Sequence, residues 1–145
     1  MRYDIENQLC NAQAFTASAV STNSYQKQSA AQDLSIGRRM AVMYVVVVAA
    51  GTGSTWNLQA VQADVTALTT NIEVLGTVQV AAALMTKGAV FEVPIPQGTM
   101  TRLHLGARAI PESGGTETVT LDAYLVPQEE IPYFRTFPKV VGSGA

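Results

Sequence analysis

The sequence predicts an all-β fold, an antiparallel β-sandwich of immunoglobulin-like or jelly-roll type, and three observations carry that prediction. Seven or eight short apolar-alternating stretches follow one another, turn residues separate them, and no stretch keeps a helical period for long. The stretch around which the others are organised is 40–50, MAVMYVVVVAA, eleven residues without a charge and β-branched at five positions. A half-buried strand alternates apolar and polar residues. Here Met40, Val42, Tyr44, Val46 and Val48 point one way and Ala41, Met43, Val45, Val47 and Ala49 the other, so neither face suits water. The run is too short for a membrane helix, which takes roughly 18 to 20 residues. Left exposed, it would be an aggregating segment. It is therefore expected at the centre of its sheet, covered on one face by the core and on the other by a second layer or another chain.

Taken in order, residues 1–11 are polar and mixed and carry no firm pattern. Residues 13–25, QAFTASAVSTNSY, are small and β-tolerant, with Phe15, Ala17 and Ala19 set against Thr16 and Ser18. They predict one or two strands with a bend over 18–23. Residues 25–34, YQKQSAAQDL, form the polar interlude and read as a loop. Arg38 and Arg39 at the mouth of the apolar strand read as a solvated strand end or a gatekeeper against misassociation. Gly51, Thr52, Gly53 and Ser54 supply the reversal that ends it.

Trp56, Leu58 and Ala60 alternate with Asn57 and Gln59, which makes 56–64 the next strand and Trp56 a core anchor. Residues 65–71 read as a helical turn or loop. In 72–80, Ile72, Val74, Val78 and Val80 oppose Glu73, Thr77 and Gln79, and Gly76 marks a bulge or a close approach. A single helical turn fits 81–87. Ala89, Phe91, Val93 and Ile95 then alternate with Val90 and Glu92, while Pro94 and Pro96 restrict that strand to an edge or a sheet exit. After the Gln97-Gly98-Thr99 turn, Leu103, Leu105, Ala107 and Ala109 face inward and Arg102, His104 and Arg108 outward. PESGGT, 111–116, is a loop, and Val119, Leu121, Ala123 and Leu125 form the inner face of the cleanest strand.

A length of 145 residues with 48% hydrophobic content suits one domain with a real core. Charged residues make up 14%, against about 25% in typical soluble domains, which predicts that some surface is buried in an assembly. The net charge of −2, from 9 basic and 11 acidic residues without blocks, offers nothing to a phosphate backbone or an anionic membrane. No nucleic-acid or membrane partner is expected. MRYDIENQLC has no apolar core of the signal-peptide kind, so use without secretion is expected.

The chemistry inventory is thin. Cys10, the single Cys, excludes an internal disulfide and a Cys-rich zinc site, and reads as a small, partly buried residue. His104 is the only His, too few for a His-based metal cluster, and reads as a surface or interface residue between Arg102 and Arg108. Asp64, Glu73, Glu92 and Asp122 lie on different strands, and two could meet across a sheet as a glycosidase pair requires, but without surrounding sugar-stacking aromatics they are weak evidence for one. No phosphate-cradling glycine loop is present. The chain is read as a non-enzyme with no catalytic, cofactor or metal residues and no small-molecule substrate.

What remains is the tail, PQEEIPYFRTFPKVVGSGA. Its prolines favour an extended arm over 127–145 beyond a single sandwich domain at 1–126, and Ile131, Tyr133, Phe134, Arg135 and Phe137 are residue types that carry binding energy at interfaces. Those five are the candidate partner-binding residues. Several segments together resemble the capsid cement, or decoration, proteins of short-tailed bacteriophages of the kind found on Bordetella phages: DIENQLCNAQAFTASAVSTNSY, the apolar strand with its Gly-Thr-Gly loop, AVFEVPIPQGT, RLHLGARA and VTLDAYLVPQEEIPYFRTFP. The polar interlude at 26–33 matches least well. The resemblance implies a jelly-roll fold and a place on the outer surface of the virion capsid after synthesis in the host cytoplasm. It also implies dimers that tie major capsid subunits together, with no catalytic residues. The apolar strand and the low charge content independently predict a homodimer through a sheet face or edge. A carbohydrate- or receptor-binding β module is the alternative, and would expose an aromatic platform. A cupin-type enzyme would need a cluster of His that the chain lacks.

Overall fold

The computed structural model describes residues 8–15, 19–27, 29, 34, 39–50, 55–112 and 118–128. Among them are nine strands: β1 Gln8–Phe15, β2 Ala19–Val20, β3 Tyr25–Gln26, β4 Met40–Val48, β5 Thr55–Ala63, β6 Glu73–Ala81, β7 Val90–Ile95, β8 His104–Pro111 and β9 Val119–Pro127. They make two antiparallel sheets packed as a sandwich. The first has the order β1-β9-β4-β7; the second runs β8-β5-β6, with β2 and β3 both on the free side of β8. The chain changes sheet at every connection except β2 to β3 and β5 to β6.

The charge-free strand is central, between β9 and β7. Its inner face, Met40, Val42, Tyr44 and Val46, meets Trp56, Leu58 and Ala60 of β5, Leu105, Ala107 and Ala109 of β8, and Leu121, Ala123 and Leu125 of β9 in one core. Each fully buried Val or Leu there contributes on the order of 1.5–3 kcal/mol. The outer face is dry as well: Ala41 and Met43 are 0% exposed and cluster with Tyr124 and Val126, with Val45 and Val90 against them. This outer face is thus buried within a single chain, and its burial does not call for another copy.

Tyr44 ties the sheets together. Its side chain leaves β4 and crosses the core, and its hydroxyl donates to the Gln59 carbonyl at 2.5 Å and accepts from the Arg108 N–H at 3.2 Å, at the point where β5 and β8 pair. Burial, and then the neighbouring Cys10, push its ionisation far above the usual phenol range, so it stays a neutral donor.

Several expectations change. Val48 is exposed, because a register shift between Val46 and Val48 turns the end of β4 away from the core. The first strand starts at Gln8, inside the stretch that carried no pattern, with Leu9 and Cys10 buried against β9. The polar interlude opens with β3 rather than a loop, and Lys27 beyond it is buried. On β6 the register shift opposite Ala60 and Val61 leaves Leu75 as the extra residue. Leu75 and Val78 therefore pack on the core while Val74 points to solvent. Gly76 is a close approach, as expected: a Cβ there would lie 2.5 Å from the Pro94 carbonyl oxygen of β7.

A satellite cluster covers part of the second sheet's outer face. The β5–β6 loop folds back so that Leu68, at φ 58, joins Val61 and Ala63, with Val20 and Ile72 beside them. Gly106 makes room for it, since a Cβ at that position would lie 2.2 Å from Leu68 Cδ1.

Two substitutions test this packing. Tyr44→Phe strands a buried carbonyl and a buried N–H, and should cost about 1–3 kcal/mol in denaturant unfolding; an unchanged midpoint would contradict the cross-sheet bond. Gly106→Ala should cost about 1–3 kcal/mol through overpacking. In a Leu68→Ala background the same change should cost clearly less, because the clashing methyl is gone; equal costs would mean that loop and sheet do not touch as described.

Candidate interaction surfaces

The five side chains singled out from the tail, Ile131, Tyr133, Phe134, Arg135 and Phe137, lie outside the described residues. The place from which their segment continues is described. Pro127 still pairs with Met40, and the Gln128 N–H donates to the Arg39 carbonyl at 2.8 Å. Gln128 then lines an open groove of about 390 Å³ together with Arg39, Pro94, Ile95, Pro96 and Gln97. The groove forms because Pro94 and Pro96 have no N–H to extend β7, and the chain turns away through Gly98, at φ 83, with Thr99 Oγ1 donating to the Pro96 carbonyl at 2.6 Å. Its walls are proline rings, two amide side chains and one guanidinium. That chemistry suits an extended peptide, and the described lining residues include no nucleophile or acid–base pair.

The β7–β8 connection runs from this groove to a polar clasp at the same end of the sandwich. Buried Gln62 holds the connection: its Nε2 donates to the Thr99 carbonyl at 3.1 Å and to Thr101 Oγ1 at 3.2 Å, and its Oε1 accepts from the Thr101 and Arg102 N–H groups at 2.9 and 3.1 Å. Lys27, also buried, donates from Nζ to the Met100 carbonyl at 3.0 Å. Arg102 is thereby placed with Nη1 3.0 Å from both Asp64 oxygens and Nε paired to Glu73. Asn71 Nδ2 donates to Asp64 at 2.7 Å, and the Asp64 N–H to the Thr70 carbonyl at 3.0 Å. The Asn71 hydrogen bond, and then Arg102, hold the Asp64 carboxyl below its usual range. Two of the four sequence-identified carboxylates thus meet, but through a cation that keeps Asp64 ionised, the opposite of what a general acid requires. Asp122 is elsewhere, accepting the Ala12 N–H at 2.6 Å, and Glu92 lies on β7.

The remaining candidates are structural. His104 faces outward as expected, yet it is buried rather than on the surface, with Nδ1 3.4 Å from Ser24 Oγ, because β3 covers it at the edge of β8. Cys10 is fully rather than partly buried; its thiol donates to the Leu121 carbonyl at 3.4 Å, and burial, then Asp122, push it up to about 12, so it stays protonated. Trp56 is in the core and presents no platform. No group of His, Cys, Asp and Glu able to hold a metal occurs among the described residues. Gln62 and Lys27, which organise this end of the molecule, carry no motif and are recognisable only once the strands bring residue 62 beside 99–102.

The clasp titrates in a stated direction. A carboxyl whose folded pKa is depressed contributes stability that is complete above its unfolded value of about 3.9 and is lost as pH falls through the lower folded value. Side-chain carboxyl NMR should show Asp64 titrating below the ordinary Asp range, and Arg102→Ala should raise that midpoint while global melting at neutral pH changes little, the ion pairs being exposed. An Asp64 midpoint unaffected by Arg102→Ala would remove the clasp.

No protein-family model matches the chain, and no curated protein matches it in sequence.

Proposed function

We propose that the chain is a structural virion protein, a capsid cement or decoration protein that binds the outer surface of a phage head and stabilises contacts between major capsid subunits. One observation carries the reading: the last described strand, in a sheet buried on both faces at β4, ends at Pro127, Gln128 beyond it stands on the rim of an open groove, and the sequence goes on into the aromatic segment with Ile131, Tyr133, Phe134, Arg135 and Phe137. A rigid body that hands over to an interface-type sequence suits a protein whose task is to hold partners already folded. The two-sheet strand order, β1-β9-β4-β7 facing β8-β5-β6 with β2 and β3 beside β8, supports a jelly roll, an architecture used by viral capsid, lectin and cupin domains alike. The resemblance in sequence favours the first of these. The alternative, a carbohydrate- or receptor-binding module, has less support, since Trp56 and Tyr44 are spent in the core.

An arm that orders on docking gives up roughly 1–2 kcal/mol per residue in backbone entropy, and must bury several large side chains to bind. Tyr133, Phe134 and Phe137 can each bury on the order of 150–250 Å². Deleting residues 132–145 should leave near-native melting while weakening or abolishing attachment to particles stripped of this protein, and Tyr133→Ala with Phe134→Ala should do most of the same damage. Thermal unfolding beside particle binding is the measurement. Full binding by the folded truncated protein would defeat the arm, and failure of the intact chain to bind such particles would defeat the capsid reading.

A further inference from the structure

A sheet edge is a row of unpaired N–H and C=O groups that natural proteins blunt with proline, bulges, lysine or short strands. Three of the four described edges here are blunted. On the first sheet, β7 carries Pro94, and β1 is broken by two register shifts around Ala12, at φ 49. On the second sheet, the edge beside β8 consists of two two-residue pieces, β2 and β3, separated by a turn in which Ser21 Oγ donates to the Asn23 carbonyl at 2.8 Å. The fourth edge, β6, is different. It is nine residues long, pairs among the described residues only with β5, and contains neither proline nor lysine. Its one charged residue, Glu73, is already paired with Arg102 at the strand's end. Beyond the bulge at Leu75, residues 76–81 run in unbroken register against β5.

Two of the four large hydrophobic side chains exposed among the described residues lie along this edge, the others being Val48 and Val65: Val74 at 45% stands at the start of β6, and Leu84 at 63% lies just past its end, on the 3₁₀ turn Ala82–Leu84. An antiparallel pair of identical strands brings the start of one beside the end of the other. Each Val74 then lies near the other copy's Leu84, and two scattered apolar residues become two contacts related by symmetry.

We infer that β6 is a homotypic pairing edge: two copies join residues 76–80 antiparallel about a two-fold axis near Val78, so that the second sheet continues from one copy into the other. In this register Thr77 of one copy lies opposite Gln79 of the other, and Gly76 opposite Val80, each pair on a common face of the sheet, and no like charges meet. This deepens the homodimer expectation by assigning it to one edge, and it does not depend on the capsid reading, because every measurement below is made on the chain without particles.

The test is sedimentation velocity of the full chain at micromolar concentrations. Wild type should sediment as a dimer. Thr77→Lys with Gln79→Lys, both at exposed positions, should weaken the dimer by at least about tenfold with melting of the fold unchanged, because two like-charge pairs now face each other. Thr77→Glu with Gln79→Glu should weaken the dimer likewise, with some loss of melting temperature because Gln79 Nε2 donates to the Glu112 carboxylate at 2.9 Å and a Glu there repels it, and mixing the two variants should restore a heterodimer. Amide hydrogen exchange on wild type provides a second measurement that needs no variant: protection of residues 76–80 should rise with protein concentration while that of β1 does not. A monomeric wild type, a lysine variant that dimerises as tightly as wild type, a mixture that fails to associate, or β6 protection independent of concentration would each overturn the assignment.

Discussion

A strand with no charge in the middle of a sheet has to be kept from water on both sides, and the arrangement of this protein follows from meeting that requirement for β4. The inner face is covered by the opposing sheet, which accounts for the apolar alternation of β5 and β8, while β9 beside β4 turns its own apolar face to the same core. Apolar contact alone would let two such sheets slide, since it has no direction. Tyr44 supplies direction. Its hydroxyl, fixed at the Gln59–Arg108 pair of the facing sheet, sets the position of one layer over the other, and the cost of leaving those groups unpaired makes the alternatives poor.

At one end of the sandwich the loops are held by polar groups. Gln62 makes four hydrogen bonds to the β7–β8 connection, Lys27 adds a bond to Met100, and Arg102 gathers Asp64 and Glu73. The same β5–β6 loop is pinned from its apolar side by Leu68 over Gly106. The consequence is a rigid rim, with the Arg39–Gln128 groove on one side of the connection and the clasp on the other.

Several candidate catalytic groups have structural partners. Cys10 and His104 are buried and hydrogen-bonded, and Asp64 is committed to Arg102 and Asn71. Two surface features of the described residues, the groove at Gln128 and the unblunted edge of β6, are suited to holding other chains. That is the physical common ground of the cement reading and the edge-pairing inference, although each stands on its own observation.

The sequence by itself determined the sandwich class, because period-two alternation is a local property and each strand carries its own. Trp56, Leu58 and Ala60, or Val119, Leu121 and Leu125, declare their inner face without reference to any neighbour. Pro94 likewise announced an edge, since a missing N–H is missing in any context. Only the tertiary structure decided what depends on pairing. Bulges at Leu75 and near Val48 reverse which side chains are buried, and a bulge is a mismatch between two strands, invisible in either one alone. The burial of His104 and Lys27 comes from β3 and the β7–β8 connection packing against polar residues that, read locally, belong on a surface. Gln62 and Asp64 lie 40 and 38 positions before Arg102, and the three acquire a joint role only when the hairpin and the connection meet; an interaction between distant residues leaves no periodicity to read.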